Sequence, residues 1–242
     1  MERGLARPAV RTIKTGGGQV YSYPWKFSLY KICGGQIILI KRFLSIIMAE
    51  YSTEEEEGID MDLTEAIKGR RSIRKYKPDP VPEDALQEIM EAVRWSPSWA
   101  NTQCWEVIVV KDPKIKSELA TALTKTNPAL SSMADAPIVI VLCGKKGVSG
   151  FKKGEAATVK GDWLMFDTGI AMQTLCLTAY SMGLGTVVVG MFDHKKAEEI
   201  LGLPQNAEVV AMTPLGYSVT EGSAPKRKEL SEFVFYDKYP AK

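Results

Sequence analysis

The run Ile138-Val139-Ile140-Val141-Leu142-Cys143 decides the fold. Six consecutive apolar residues leave no polar side, so the segment reads as a strand covered on both faces, inside a sheet. Working outward, residues 107–110 form a second short β-branched run, ended by Asp112-Pro113. Residues 186–189 and 209–215 read as two further buried strands. Helices lie between them. The first spans 63–69, with Asp62 placed to cap its free amides and Glu65 in the capping-box position. The second spans 83–95, where Leu86, Ile89, Met90 and Val93 recur at helical spacing. A third is expected over 114–124 with Ile115, Leu119, Ala122 and Leu123 inward. A long apolar helix runs over 163–182 to Gly183, and Asp193 opens another over 194–201 that Gly202 and Pro204 stop. Four separated strands among many helices, without a regular βαβ repeat, give an α+β sandwich rather than a doubly wound fold.

The whole chain has 242 residues and a mass of 26.7 kDa, enough for one well-buried domain with an appendage. Its net charge of +2 gives no reason to expect a nucleic-acid partner, but its distribution is uneven. Residues 1–49 hold eight Lys or Arg against the single acid Glu2. Residues 50–62 then hold seven acids and no base, and residues 63–242 are balanced at 23 bases to 21 acids. The domain boundary is therefore placed near residue 60, with 1–60 an extension and 61–242 the domain. The apolar run at 37–48 is interrupted by Lys41-Arg42 and is far shorter than the roughly 20 residues that cross a bilayer. It reads first as a poorly ordered extension or an early start, with Met48 or Met61 as the alternative beginning. A transit peptide and a membrane-surface segment are the other readings. The cysteines, Cys33, Cys104, Cys143 and Cys176, form no C-x-x-C pair and fit a reduced, cytoplasmic setting. No metal site is expected.

Four constellations carry the chemistry. Arg70-Arg71-Ser72-Ile73-Arg74 follows the first helix, and its three guanidinium groups make an anion clamp, because planar forks bind phosphate oxygens in pairs. By itself such a turn is also compatible with a solvated basic surface. Ser96-Pro97-Ser98-Trp99-Ala100-Asn101-Thr102-Gln103-Cys104-Trp105 lies between a helix and a strand, where functional loops gather. Asn101 and Gln103 suit the polar edge of a planar heterocycle, and Trp99 or Trp105 either covers an aromatic ring or fills core. Gly183-Leu184-Gly185-Thr186-Val187-Val188-Val189-Gly190-Met191 ends in a glycine that lets a flat ligand approach the backbone. Lys226-Arg227-Lys228 is a second cationic cluster, able to meet the first on one phosphate.

Taken together these motifs resemble the nitroreductase family. R-R-S-I-R-K-Y followed by S-P-S-W-A-N-T-Q-C-W is similar to its paired N-terminal signature. G-L-G-T-V-V-V-G-M-F and P-L-G-Y…P-K-R-K-E-L-S-E-F-V are similar to its later landmarks, and the likeness covers about 61–239. The resemblance implies a central, mostly antiparallel sheet flanked by helices. It also implies bound FMN, NADH or NADPH as electron donor, and a ping-pong exchange with a small-molecule acceptor. Arg70, Arg71, Ser72 and Arg74 would then hold the phosphate, ribityl chain and pyrimidine edge, and Ser98, Asn101 and Gln103 would line the flavin. The backbone of Val188, Val189 and Gly190 would lie near the flavin N5, while Lys226 and Arg227 complete the phosphate site. A homodimer with FMN at its interface is implied, and the apolar tail after Pro225 suits a wrap around the partner. Cys104 departs from the pattern, standing where proline is common. Val189 stands where some members have glutamate.

No dedicated catalytic side chain is expected, since the cofactor carries the chemistry. His194 reads as an exposed or capping residue, Asp167 and Gln173 as structural. The lysine- and glycine-rich stretch 144–161 reads as a mobile, basic loop. A Rossmann dehydrogenase lacks its G-x-G-x-x-G after a strand, and Gly144-Lys145-Lys146-Gly147 lacks P-loop spacing. The rivals left are a non-catalytic flavin- or nucleotide-binding protein and a family member with one dedicated substrate. The charge break yields a test: a chain beginning at Met61 is expected to fold, dimerise and take up FMN. Loss of flavin uptake in that chain would put residues 1–60 inside the domain.

Overall fold

The computed structural model describes residues 61–240 and, upstream, two short strands, β1 (Thr12–Lys14) and β2 (Val20–Ser22), paired antiparallel. The chain divides into two compact units, Met1–Glu56 and Glu57–Lys242. The run at 37–48 and Cys33 lie outside the described residues.

In the second unit, α1 (Leu63–Gly69) begins at Asp62, whose carboxylate accepts from the amides of Thr64 and Glu65. Next come α2 (Glu83–Arg94), β3 (Trp105–Val110), α3 (Pro113–Ala120) and α4 (Leu130–Asp135). Strand β4 (Ile138–Lys145) leads to a hairpin of β5 (Phe151–Lys152) and β6 (Glu155–Ala156). The long α5 (Leu164–Ser181), β7 (Leu184–Thr186), α6 (His194–Leu201) and β8 (Ala207–Tyr217) complete it. The main sheet runs β3-β4-β8-β7, antiparallel throughout.

Strand β4 is interior, and its alternate residues feed two cores. Ile138, Ile140 and Leu142 pack with α2 and α5, around Leu86, Ile89, Ala171 and Leu175. Val139, Val141 and Cys143 pack on the opposite face with Leu119, Met133 and Ala197 from α3, α4 and α6. Successive side chains of a strand point to opposite faces, so an uninterrupted apolar run is what a strand between two helical layers requires. The α+β sandwich follows from that run.

Three details differ from the sequence reading. Helix α3 stops at Ala120, where the Thr121 hydroxyl turns back to the Glu118 carbonyl, and Leu123 instead bridges Phe192. Helix α4 escaped notice because its six residues, with only Ser132 and Met133 buried, are too few to show a period. The 144–161 stretch contains the β5–β6 hairpin, whose turn is made by Lys153 and Gly154 at positive φ, a conformation that alternation rules do not detect. Among the described residues no helix is long and apolar enough to cross a membrane.

Two glycines set how the arginine segment is seated. Gly183, at φ +73°, ends α5 in the left-handed conformation and turns the chain into β7. At Gly185 a Cβ would lie 2.8–3.0 Å from Cγ1, Cβ and Cγ2 of Ile73, whose amide donates to the Thr186 carbonyl (2.9 Å). The missing side chain therefore lets residues 70–74 lie flat on β7. Gly185→Ala is expected to lift this segment and cost about 1–3 kcal/mol of stability, as overpacking does. An unchanged urea midpoint would show that Ile73 is not held there.

Candidate functional site

The arginine cluster occupies one end of the β7 edge. Ser72 makes an isolated parallel bridge to Thr186, and the Ile73 amide donates to the Thr186 carbonyl, so this segment runs beside β7. Arg70 ends α1, while the Arg71 guanidinium folds back onto the carbonyls of Lys68 (2.6 Å) and Arg70 (2.9 Å). One of its terminal nitrogens is thus engaged on the helix's unpaired carbonyls. Arg74 donates to the Ser72 carbonyl at 3.4 Å, a long bond, and remains exposed. The C-terminal tail leaves the sheet beside this cluster: a Cβ at Gly222 would lie 2.6 Å from Cβ of Arg71. Lys226 and Arg227 are exposed, and four or five residues of chain reach at most about 18 Å from Gly222. The two cationic clusters therefore share one region of the surface. A cleft of about 530 Å³ opens there between Arg71, Lys77, Tyr180 and the 218–222 segment.

Val188 to Gly190 lie on the same edge. Val189 exchanges both backbone bonds with Met212 (2.8 and 3.0 Å), in the register that β7 begins against Leu215 to Tyr217. Pairing lapses between them, so the strand proper is Leu184–Thr186 rather than 186–189. Val187 and Val189 point into the core, whereas Val188 is 52% exposed. A Cβ at Gly190 would meet nothing within 4 Å, so the surface beside it is open.

Ser98, Asn101 and Gln103 belong to a different corner. Their loop holds a short 3-10 turn, Trp99–Asn101, in which Ala100 (φ +46°), Asn101 (+54°) and, just beyond, Gln103 (+49°) are all left-handed. Each such residue costs on the order of 1 kcal/mol unless it is glycine, with asparagine the mildest exception. The Ser98 hydroxyl accepts from the Gln103 amide (2.9 Å), and the Gln103 side chain donates to Asn101 Oδ1 (3.2 Å). Asn101 and Gln103 are exposed. Trp105 packs on the core, so it is core filling, and Trp99 is half-buried.

The carboxylate of Asp167, from the first turn of α5, sits fully buried beneath this loop. Its two oxygens each accept from the Trp99 amide (3.1 Å), and Oδ2 also accepts from the Ser149 hydroxyl (2.6 Å). The Cys104 thiol lies 3.6 Å from the same oxygen. Burial first, then Asp167, pushes that thiol up to about 12, so at neutral pH it keeps its proton and can donate it. The sequence reading of Asp167 as structural is thereby given a mechanism. Gln173, also read as structural, is exposed. His194 is exposed at the start of α6, its Nδ1 2.8 Å from the Val209 carbonyl.

Strand register gives the distance between the corners. Trp105 lies opposite Gly144, and Gly144 opposite Glu208. Ser72 bridges Thr186, which lies opposite Leu215. Four strand spacings and the stretch of β8 from Glu208 to Leu215 separate them, on the order of 25–30 Å across the sheet. Gln103, two residues before Trp105, is within about 7 Å of its corner. Within one chain the structure brings the arginines, the 226–227 cluster and Val188 to Gly190 toward one edge. It leaves Ser98, Asn101 and Gln103 at the other.

The model of the Nitroreductase family matches residues 67–131 and 124–217. An NADH dehydrogenase of Thermus thermophilus is 32% identical over 201 residues, covering 73% of this chain and 96% of that protein. The chain belongs to the nitroreductase family. Among solved structures, an FMN-dependent nitroreductase of Clostridium difficile superposes with a TM-score of 0.62 at 27% identity, over 73% of this chain and 99% of that one. A more distant relative, the iodotyrosine deiodinase of Nematostella vectensis, is 25% identical over 76% of this chain and 79% of its own length. The α+β, mostly antiparallel sandwich expected from the sequence is that of the nitroreductase fold.

The left-handed loop is open to direct test. Ala100→Gly is expected to leave stability unchanged or raise it by up to about 1 kcal/mol, because glycine accepts the conformation freely. Ala100→Val should lower it by more than that. Thermal melting checks both, and equal melting points for the two variants would mean that position 100 is not left-handed.

Proposed function

We propose that this nitroreductase-family oxidoreductase binds FMN and uses NADH or NADPH to reduce nitroaromatics, quinones or flavins by alternating half-reactions at one site. The observation that carries the reading is the division of the site into two complementary halves. One half offers Arg70, Ser72, Arg74, Lys226 and Arg227, a donor set that fits a phosphate dianion. The other offers the exposed amides of Asn101 and Gln103, which fit the polar edge of a flat heterocycle. Both fit FMN, and their wide separation in one chain supports assembly from two copies.

In such a homodimer the arginines and the tail lysines of one copy hold phosphate and ribityl chain, Arg71 contributing through its backbone and its free guanidinium edge. Ser98, Asn101 and Gln103 of the second copy orient the ring. Val189, whose side chain is buried, and Gly190 present main chain beside the exposed Val188, leaving space at Gly190 for a nicotinamide or an acceptor to stack. When bound, FMN supplies hydride acceptance and release at N5. No acid–base side chain is needed beyond this positioning. Exposed apolar residues agree with a partner: Met165 and Phe166 on α5, and Phe233, Phe235, Tyr236 and Tyr239 on the tail. A cytoplasmic enzyme with no nucleic-acid partner is the setting proposed.

A second reading, a single dedicated substrate, is favoured by the likeness to the iodotyrosine deiodinase. The purified protein is expected to show the visible absorption of flavin, or to take up added FMN. Arg70→Ala and Arg227→Ala should each weaken that uptake by about 2–5 kcal/mol, the cost of removing one member of a charged, hydrogen-bonded contact. A steady-state panel of acceptors with NADH and NADPH separates the two readings. Comparable kcat/KM across nitroaromatics and quinones supports the broad reductase. Preference for one acceptor by more than about a thousandfold, roughly 4 kcal/mol, supports the dedicated one. Flavin binding without turnover would make the protein a carrier.

A further inference from the structure

Three segments distant in sequence meet on one buried group. Residues 98–104 approach it through the Trp99 amide and the Cys104 thiol, and residues 146–163 through the Ser149 hydroxyl, which is also fully buried. Helix α5 supplies the carboxylate of Asp167 itself. No salt bridge to this carboxylate occurs among the described residues, so its burial is compensated by hydrogen bonds and by the amide end of the helix. The neighbouring Asp162 repeats the logic one turn earlier, accepting from Leu164 at the helix start (2.9 Å) and from Gly147 (2.7 Å). Trp163 returns its amide to the Ser149 carbonyl (3.1 Å) and its indole to the Thr158 hydroxyl (3.1 Å). The β5–β6 hairpin is thereby fixed at both ends to the same turn of α5.

A loop with three non-glycine residues in the left-handed region relaxes unless something holds it. Within it the side-chain bonds, Ser98 to Gln103 and Gln103 to Asn101, are exposed to competing water, and the backbone bonds of Asn101 to the Ser98 carbonyl and Thr102 to the Trp99 carbonyl (3.0 Å each) close only single turns. The Trp99 amide on Asp167 ties it to the core one residue before the first left-handed position, and the Cys104 thiol reaches the same carboxylate one residue after the last.

We propose that Asp167 is a positioning residue for the flavin-facing loop. By holding the Trp99 amide it fixes the backbone that aims Asn101 and Gln103 outward, and through Ser149 it locks the lysine-bearing hairpin to the same carboxylate. Asp167 touches neither cofactor nor substrate; it acts through residues 99–103. The inference rests on the proposed flavin site for its functional consequence, but its structural half is independent of FMN.

The test uses the full chain in three forms: wild type, Asp167→Ala and Ser149→Ala. Amide hydrogen exchange resolved to residues 98–104 reads the structural half without flavin. Asp167→Ala is expected to speed exchange in this segment by at least tenfold while β4 and β8 stay protected. Ser149→Ala should loosen 146–163 and leave 98–104 protected. Titration with FMN then reads the functional half. Asp167→Ala should lose at least tenfold in affinity, with a shifted flavin absorption spectrum, and Ser149→Ala should stay within about threefold of wild type. Unchanged exchange at 98–104 in Asp167→Ala overturns the proposal, as does wild-type FMN affinity in a variant whose loop has loosened. Should Asp167→Ala fail to fold, Asp167→Leu serves in its place, because it branches at the same carbon and fills the space but accepts no hydrogen bond from Trp99 or Ser149. The same two outcomes then decide. Wild-type protein that takes up no FMN sinks the proposed function alone, since the exchange arm still decides what Asp167 does.

Discussion

The antiparallel pairing of β4 with β8 is the constraint on which the rest depends. It is the longest ladder in the molecule, running from Ile138 opposite Leu215 to Lys145 opposite Ala207. Both strands are buried on both faces, so a slip of one residue would exchange the two cores wholesale. With the register fixed, β3 and β7 have only the outer edges to occupy, and each edge carries one part of the proposed site. The loop preceding β3 bears Asn101 and Gln103, and the segment laid on β7 bears the arginines. A bulge between Leu142 and Cys143 turns Val210 and Ala211, neighbours in β8, toward the same core, so the alternation of that strand reverses there. The separation of these two groups of residues is therefore set by the sheet.

The two corners are held by different physics. At the β7 edge the means is close approach: Gly185 removes a side chain so that Ile73 packs on the strand, and Gly222 does the same for Arg71. Such seats are rigid because the atoms involved are Cβ and near-backbone atoms, which cannot turn aside. At the β3 edge the means is electrostatic. A buried carboxylate costs several kcal/mol to desolvate, and only donors in good geometry offset it. Trp99, Ser149 and Cys104 supply them, so the desolvation cost of Asp167 becomes a force that orders two loops. Cys104 in place of the family's usual proline has a use in this setting. A proline has neither thiol nor amide, whereas the cysteine adds a third donor to the cluster.

Much of this was legible in the sequence, for reasons that differ by element. The helix starts at Asp62 and Asp193 declare themselves because a capping carboxylate acts within three residues, and Asp112, legible only as the end of a strand run, caps α3 in the same way. The interior strand is visible because two-sided burial leaves an unbroken apolar run. The arginine and amide motifs are visible as residue types. Their separation was not, because it depends on which strand lies beside which, and sequence spacing carries no such order. Asp167 is visible only as an acid in an apolar helix; its partners stand 68, 63 and 18 residues away. The hairpin was hidden for a further reason. Its strands are two residues long, and the glycines and lysines around them read as a loop.

The hairpin bears on how selective such a site can be. Of the five lysines in 144–161, Lys145 ends β4 and is already engaged, 2.9 Å from Glu106, and Glu155 lies within the same stretch with Asp162 just after it. The positive field near the ring-facing loop is therefore weaker than a count of lysines suggests, and exposed charges are further screened by salt. Long-range attraction of that size raises encounter rates for anionic acceptors but discriminates poorly among them. Strict selection needs buried polar groups that are left unpaired by the wrong substrate. The amides of Asn101 and Gln103 are exposed in the single chain, and they turn to each other when nothing else is present. Under the proposed function such a site would accept a flat, polar-edged ring, and the open surface beside Gly190 would favour breadth over a single substrate.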